Sequence, residues 1–173
     1  MNNLFLVTLL SLAFTQVQYE GNSKYYQQSL EQIDFISLNN NPLVDRDFHP
    51  MVFKFGDEYD VDISVINQAQ VYIDNDIYTF ILGLNSDNAY GLGINFDNFF
   101  LTENAELFFY DRERTNLVGA FTELNNSDDR VMTTSIIKGD NIIIELSVPA
   151  SEVDDIRLNI DTVIHDYTDI MNY

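Results

Sequence analysis

Short runs in which apolar and polar residues alternate follow one another through residues 90–148, and turn residues separate them. Apolar side chains recur at every second position in three of these runs: Leu92, Ile94 and Phe96; Leu107 and Phe109; and Ile142, Ile144, Leu146 and Val148. Successive side chains of a strand point to opposite faces, so this period predicts strands with one face in a core. A turn signal about every ten residues predicts an all-β fold, an antiparallel β-sandwich of the jelly-roll or CUB-like kind.

The same pattern extends on both sides of this stretch. Strands are predicted at residues 51–55, 61–65, 78–84, 90–96, 99–101, 105–110, 116–121, 131–137, 141–148 and 156–164. The strings Asp74-Asn75-Asp76 and Lys138-Gly139-Asp140-Asn141 predict turns. Gly119 lies inside a predicted strand, where glycine indicates a bulge or a close backbone approach. No long helix is predicted.

The N-terminus carries an apolar run of about eleven residues, from Leu4 to Phe14, which is too short to span a bilayer as a helix. Such a run is typical of a secretory signal peptide, although Met1-Asn2-Asn3 adds no basic side chain. We therefore predict a signal peptide at residues 1–15 and secretion to the extracellular space. The alternative is a buried N-terminal strand or helix. Residues 16–50 are predicted to form an extended lead-in, residues 51–168 the sandwich and residues 169–173 a C-terminal tail.

Composition narrows the classes of function. The chain has 173 residues, which suits one domain, and a formal charge of −20 from 28 acidic and 8 basic residues. Nucleic-acid phosphates and anionic membrane surfaces both require Lys and Arg, so this charge argues against both partners. Cysteine is absent, which excludes disulfides, thiolate nucleophiles and Cys-type zinc sites. The acidic residues form either a solvated coat or, in part, a calcium site.

Few residues could support catalysis. A nucleophile needs a hydrogen-bonded base that a third group orients, and the chain has only two histidines, His49 and His165. No Gly-Asp-Ser-Gly or Gly-x-Ser-x-Gly string surrounds a serine. Carboxylate pairs of the glycosidase kind arise by chance among so many acids. We predict no catalytic residues and no cofactor.

Two kinds of ligand stay open. Ca²⁺ takes several carboxylate and carbonyl oxygens, which residues 57–62, 74–76 and 126–129 supply without the EF-hand spacing. Solvated turns explain the same composition. Sugar-binding modules present exposed aromatic rings, and the chain has no Trp but offers four tyrosines in or near predicted strands. These are Tyr72, Tyr78, Tyr90 and Tyr110.

A series of short strings in a fixed order carries a family resemblance. The strings are Gly93-Ile-Asn-Phe-Asp-Asn-Phe-Phe-Leu101, Ala105-Glu-Leu-Phe-Phe-Tyr-Asp111, Val118-Gly-Ala-Phe-Thr122, Asn125-Asn126, Ile137-Lys-Gly-Asp140, Ile142-Ile-Ile-Glu145 and Val163-Ile-His-Asp-Tyr167. They resemble the domain that precedes the catalytic domain in secreted bacterial trypsin-like serine proteases of the lysyl-endopeptidase type. The likeness covers roughly residues 50–167.

The resemblance implies a non-catalytic pro- or accessory domain of a serine endopeptidase precursor, with a structural role for His165. Its partner would be a trypsin-like protease domain, normally in the same chain. That domain would follow the His-x-Tyr end, and the sequence stops at Tyr173. The alternatives are a secreted module that binds carbohydrate or a cell surface, and a truncated or degenerate gene product.

Overall fold

Two six-stranded sheets make up the part of the chain that the structure describes. The computed structural model describes residues 33–39, 43–44 and 54–172. In chain order the strands are β1 (Phe35–Ser37), β2 (Leu43–Val44), β3 (Gly56–Ser64), β4 (Gln70–Asp74), β5 (Ile77–Asn85), β6 (Gly91–Phe100), β7 (Glu106–Tyr110), β8 (Leu117–Phe121), β9 (Met132–Thr133), β10 (Ile137–Lys138), β11 (Asn141–Pro149) and β12 (Arg157–Asp166). The predicted signal peptide at residues 1–15 lies outside the described residues.

The first sheet has the strand order β1-β5-β11-β7-β8, with β4 also paired to β5, and the second has the order β10-β6-β12-β3-β2, with β9 also paired to β6. All pairs are antiparallel except β1 and β5, which run parallel. The predicted all-β sandwich is confirmed. Its one parallel pair was not predicted, and it is compatible with chain connectivity because a long connection separates β1 from β5.

The predicted core faces are confirmed. The apolar positions of β6, β7 and β11 that recur at every second residue all belong to one buried cluster between the sheets. Phe96 of the second sheet and Phe109 of the first meet across this core, with ring centroids 6.1 Å apart. The β5 residues Phe80, Leu82 and Leu84 are buried in the same cluster. The alternating pattern therefore identifies the inward-facing residues of β5, β7, β11 and the first part of β6.

The outer face of the first sheet is also covered, which the alternation did not predict. Four residues there form a second buried cluster: Ile81, Phe108, Tyr110 and Ile143. Ile33 and Phe35, from the segment before β5, pack against it. The Arg112 guanidinium lies 4.2 Å from the centre of the Phe35 ring. The residues around β1 thus convert a face that would meet water into part of the interior.

A bulge in β12 changes the face that each residue occupies. The register with both neighbouring strands shifts between Ile160 and Thr162. Leu158 and Ile160 enter the core before the shift, and Val163 enters it afterwards. Because the side-chain period in a strand is two, a shift of one residue moves every later side chain to the other face. His165 is therefore in phase with Val163 and lies on the core-facing side.

The strand predicted at residues 131–137 is interrupted. β9 and β10 flank Thr134, whose backbone N–H donates to the Ile94 carbonyl at 2.9 Å while its Oγ1 accepts from the Ile94 N–H at 2.9 Å. The threonine hydroxyl takes the place of a backbone carbonyl, and the regular ladder breaks at this residue. Alternation alone cannot distinguish such a side-chain substitute from a continuous strand.

Helical structure is short where the structure describes the chain. α1 spans Val65–Gln68, so Val65 begins a helix and does not end the predicted strand. The longest 3-10 helix is Ala150–Asp155, directly after β11. Across residues 33–39, 43–44 and 54–172, no helix has the length and apolar character needed to cross a membrane.

Candidate functional site

A serine and a histidine meet at one end of the sandwich, a contact that the sequence did not predict. Ser86 directly follows β5, and its backbone N–H donates to the Asp140 carbonyl at 2.8 Å. The β12 bulge turns His165 toward the same point. Ser86 Oγ and His165 Nδ1 are 2.7 Å apart and share one hydrogen bond, whose direction the histidine tautomer sets.

Tyr59 of β3 completes this cluster. Its ring meets the His165 ring edge to face, with centroids 6.1 Å apart. Its Oη lies 3.4 Å from Ser86 Oγ, which gives the serine a second polar neighbour. Three segments far apart in the chain therefore converge on one buried hydroxyl.

This arrangement joins backbone segments and does not expose a nucleophile. A catalytic serine must reach substrate, and its base must be oriented by a third group. Ser86 is 0% exposed, so no substrate can contact its Oγ. In residues 33–39, 43–44 and 54–172, no carboxylate hydrogen-bonds to the His165 ring. The other histidine, His49, lies outside the described residues. The pair therefore fastens the turn after β5 to the end of β12.

Other residues of the resembling strings also hold backbone in place. Tyr167 donates from its backbone N–H to the Phe55 carbonyl and from its Oη to the Lys54 carbonyl, each at 3.2 Å. The Asn126 side-chain amide accepts from the Leu101 N–H and donates to the Leu101 carbonyl, both at 2.8 Å. These polar side chains supply partners where the ladders end.

Tyr110 and Glu145 form a buried pair on the outer face of the first sheet. The Tyr110 hydroxyl donates to Glu145 Oε2 at 3.0 Å. Burial raises the pKa of Tyr110 far above its ordinary value, and the charge of Glu145 and this hydrogen bond add to the effect, while Arg114 opposes it. The phenol is thus held neutral as a donor to a carboxylate, which is a packing role.

The four candidate tyrosines do not share one exposed face. Tyr110 is fully buried, and Tyr72 packs against the cluster around it. Tyr78 stacks on Phe80 of the core with ring centroids 6.3 Å apart. Tyr90 is the one exposed ring of the four, at 53%. No flat aromatic platform for a sugar is assembled from these positions.

The three candidate calcium segments have different surroundings. Residues 57–62 lie within β3, so their side chains alternate between two faces instead of gathering in a loop. The turn predicted at residues 74–76 is present, with Asp74 ending β4 and Asn75 and Asp76 joining it to β5. In the third segment, Asp129 accepts from Ser127 Oγ and from the Val131 N–H, which lowers the pKa of Asp129.

Where the structure describes the chain, no group of three or more His, Asp or Glu side chains is arranged to hold a metal ion. Calcium binding stays a prediction.

No protein-family model matches the chain, and no solved structure matches it. The resemblance to lysyl-endopeptidase-like precursors therefore rests on the ordered strings alone. The residues next to Ser86 and Tyr59 in the sequence do not indicate a contact with His165. Ser86 lies 79 positions from His165, and Tyr59 is farther still.

Ser86→Ala is expected to lower the free energy of unfolding by about 1–2 kcal/mol, because it removes the partner of half-buried His165 and of buried Tyr59. Urea denaturation followed by circular dichroism measures the change. Ser135→Ala is the control, since Ser135 is exposed and the same hydroxyl is removed. Equal midpoints for the two variants would show that the cluster adds nothing to stability.

Proposed function

We propose that this chain is a non-catalytic accessory β-sandwich, the N-terminal domain associated with a secreted trypsin-like serine endopeptidase. The observation that carries the proposal is the Ser86–His165 hydrogen bond, in which the serine is fully buried. The closing His-x-Tyr string of the resembling domain here serves to join backbone segments, and its histidine binds a serine that has no exposed surface. A domain of this kind acts by contact with a partner and performs no hydrolysis itself.

The positions of the resembling strings support the proposal. They fall on strands β6, β7, β8, β10, β11 and β12 and on the loop at Asn125-Asn126, so they span both sheets. Asn126 and Tyr167 each bond backbone of a distant segment. Two proteins with the same scaffold would share strings that specify the ends of the strand ladders and the core positions. This holds whatever chemistry a neighbouring domain performs.

The proposed partner is a trypsin-like catalytic domain, and the proposed location is extracellular. The predicted signal peptide at residues 1–15 supports export. The charge of −20 suits a domain that stays soluble outside the cell and approaches a partner through its electrostatic field. The predicted lead-in contributes β1 and β2 to the sheets.

The first test asks whether the chain hydrolyses peptide or ester bonds. The purified full chain is incubated with lysine esters and with a fluorophosphonate probe that labels active serines. We expect hydrolysis at the buffer rate and no labelling. Ser86→Ala is the matched control, and it should behave like the unchanged chain. Labelling at Ser86, absent in the variant, would refute the non-catalytic assignment.

The second test asks for the partner. The tagged full chain is isolated from the medium of its native host, and the same probe is applied to the proteins that accompany it. We expect a probe-labelled serine hydrolase whose peptides identify a trypsin-like domain. If no labelled hydrolase accompanies the chain in repeated isolations, the association with a protease is wrong.

A further inference from the structure

A groove on the second sheet contains two of the chain's few cations. Its volume is about 500 Å³, and Phe100, Leu101, Arg130 and Arg157 line it. The whole chain has 8 basic residues against 28 acidic ones, so two arginines in one groove stand out against the overall charge. We call this feature the arginine groove.

The fold brings the two arginines to the same phenylalanine. Arg157 begins β12 and is paired in register with Phe100, the last residue of β6. Directly opposed residues of an antiparallel pair project to the same face, so both side chains leave the sheet on the same side. Arg130 arrives from the loop before β9, and its guanidinium carbon lies 5.7 Å from the centre of the Phe100 ring.

Backbone contacts hold Arg130 in position. Its carbonyl accepts from the Phe99 N–H at 2.8 Å, and its own N–H donates to the Ser127 carbonyl at 3.1 Å. Its φ of 57° lies in the left-handed region, which suits the end of a tight loop. The loop thus delivers the side chain over Phe100 from a defined point.

Both guanidinium groups keep donors for a ligand. Arg157 uses one nitrogen, Nη1, which donates to the Asp154 and Ile156 carbonyls at 2.7 Å each. Arg130 also uses Nη1, with a 3.5 Å contact to Asn98 Oδ1. Within the described ranges, neither forms a salt bridge with a carboxylate. An arginine has five N–H donors, so most of theirs remain for an anion.

We propose that the arginine groove binds the terminal carboxylate of a peptide, held between Arg130 and Arg157. Paired N–H groups of a guanidinium match the two oxygens of a carboxylate. The apolar side chain of the terminal residue packs against the half-buried Phe100 ring, which lines the groove. No protease association is needed for this assignment.

The rim of the groove selects the charge of the ligand. Glu103, Glu123 and Asp155 also line it. Their carboxylates repel a doubly charged phosphate more strongly than a singly charged carboxylate. Salt at about 0.1 M screens exposed charges more than about 10 Å apart, so distant acidic residues oppose binding less than these three do. Direct contacts to the two arginines provide the attraction that holds the carboxylate.

The experiment uses the folded full chain, labelled with nitrogen-15, and follows its amide resonances. N-acetyl-leucine is the probe, and N-acetyl-leucinamide differs from it only by loss of the carboxylate. We expect saturable shifts near residues 98–103, 126–131 and 155–158 with the acid. The amide and inorganic phosphate should each bind at least about tenfold more weakly. Neither of them offers the guanidinium groups the two oxygens of a singly charged carboxylate.

Three variants test the assignment to the two arginines. Arg130→Gln and Arg157→Gln should each weaken binding of N-acetyl-leucine at least about tenfold. Lys138→Gln removes the same charge from exposed β10 and should leave binding unchanged. The resonances themselves report whether each variant folds. The proposal would be overturned if no saturable shift were seen, or if the amide bound as tightly as the acid. It would also be overturned if phosphate bound more tightly than the acid, or if Lys138→Gln weakened binding of the acid as much as the arginine variants do.

Discussion

Phe109→Ala is expected to lower the free energy of unfolding by about 3–5 kcal/mol, the cost of truncating a buried phenylalanine without collapse of the cavity. Phe109 is fully buried between the sheets. Its ring centroid lies 6.1 Å from that of Phe96 in the opposite sheet and 5.5 Å from that of Phe121 in the neighbouring strand. The truncation therefore removes contacts both across the core and along one sheet.

Urea denaturation measures this loss, with Leu124→Ala as the control. Leu124 is 87% exposed, so its truncation should change stability by no more than about 0.5 kcal/mol. Since a domain of this size is stable by about 5–15 kcal/mol, the alanine variant can fail to fold. Phe109→Leu is expected to lower the free energy of unfolding less than Phe109→Ala, and it is then the variant compared with the control. A value for Phe109→Leu equal to that of Leu124→Ala would contradict the assignment of Phe109 to the core.

The second large effect is expected for Gly119→Ala, which should cost about 2–5 kcal/mol from left-handed backbone strain and overpacking together. Gly119 has a φ of 137°, a conformation that side chains disfavour. A Cβ atom there would lie 2.7 Å from the Leu107 carbonyl oxygen and 2.8 Å from a Phe108 ring carbon. The Leu107 carbonyl oxygen belongs to the backbone of β7, so moving it away from the new Cβ atom would cost free energy.

Gly139→Ala is the matched control for this clash. Gly139 also has a positive φ, 111°, but a Cβ there would meet no atom within 4 Å. Its substitution should cost only the conformational strain, about 1–2 kcal/mol. Thermal or urea unfolding of both variants separates strain from contact. Equal losses would show that the approach of Gly119 to β7 is not a constraint on the fold.

Parts of this fold follow from local pattern. The alternation in β5, β6, β7 and β11 predicted their core faces because burial on one side of a strand imposes a period of two. Gly119 was predicted to allow a bulge or a close backbone approach, and its strand pair shows a register shift between Leu107 and Phe109. The turns around Asn75 and Gly139 followed from residue types that tolerate positive φ.

Other parts depended on contacts that a linear pattern does not encode. The β12 bulge reverses the facing of residues after Ile160, and it brings His165 to Ser86. The cluster around Tyr110 and Ile143 exists because Phe35 covers that face of the first sheet. The two arginines of the arginine groove are 27 positions apart, and β6 brings them together.

The amino-acid sequence by itself determined the class of fold, the inward faces of β5, β7 and β11 and the acidic character, since each depends on the spacing or number of residues. Tertiary structure alone decided which side chains meet: Ser86 with His165, and Arg130 with Arg157 beside Phe100. The physical reason is that pairing partners and register are chosen by the free energy of the whole packed sandwich, whereas periodicity records only the burial of one strand at a time.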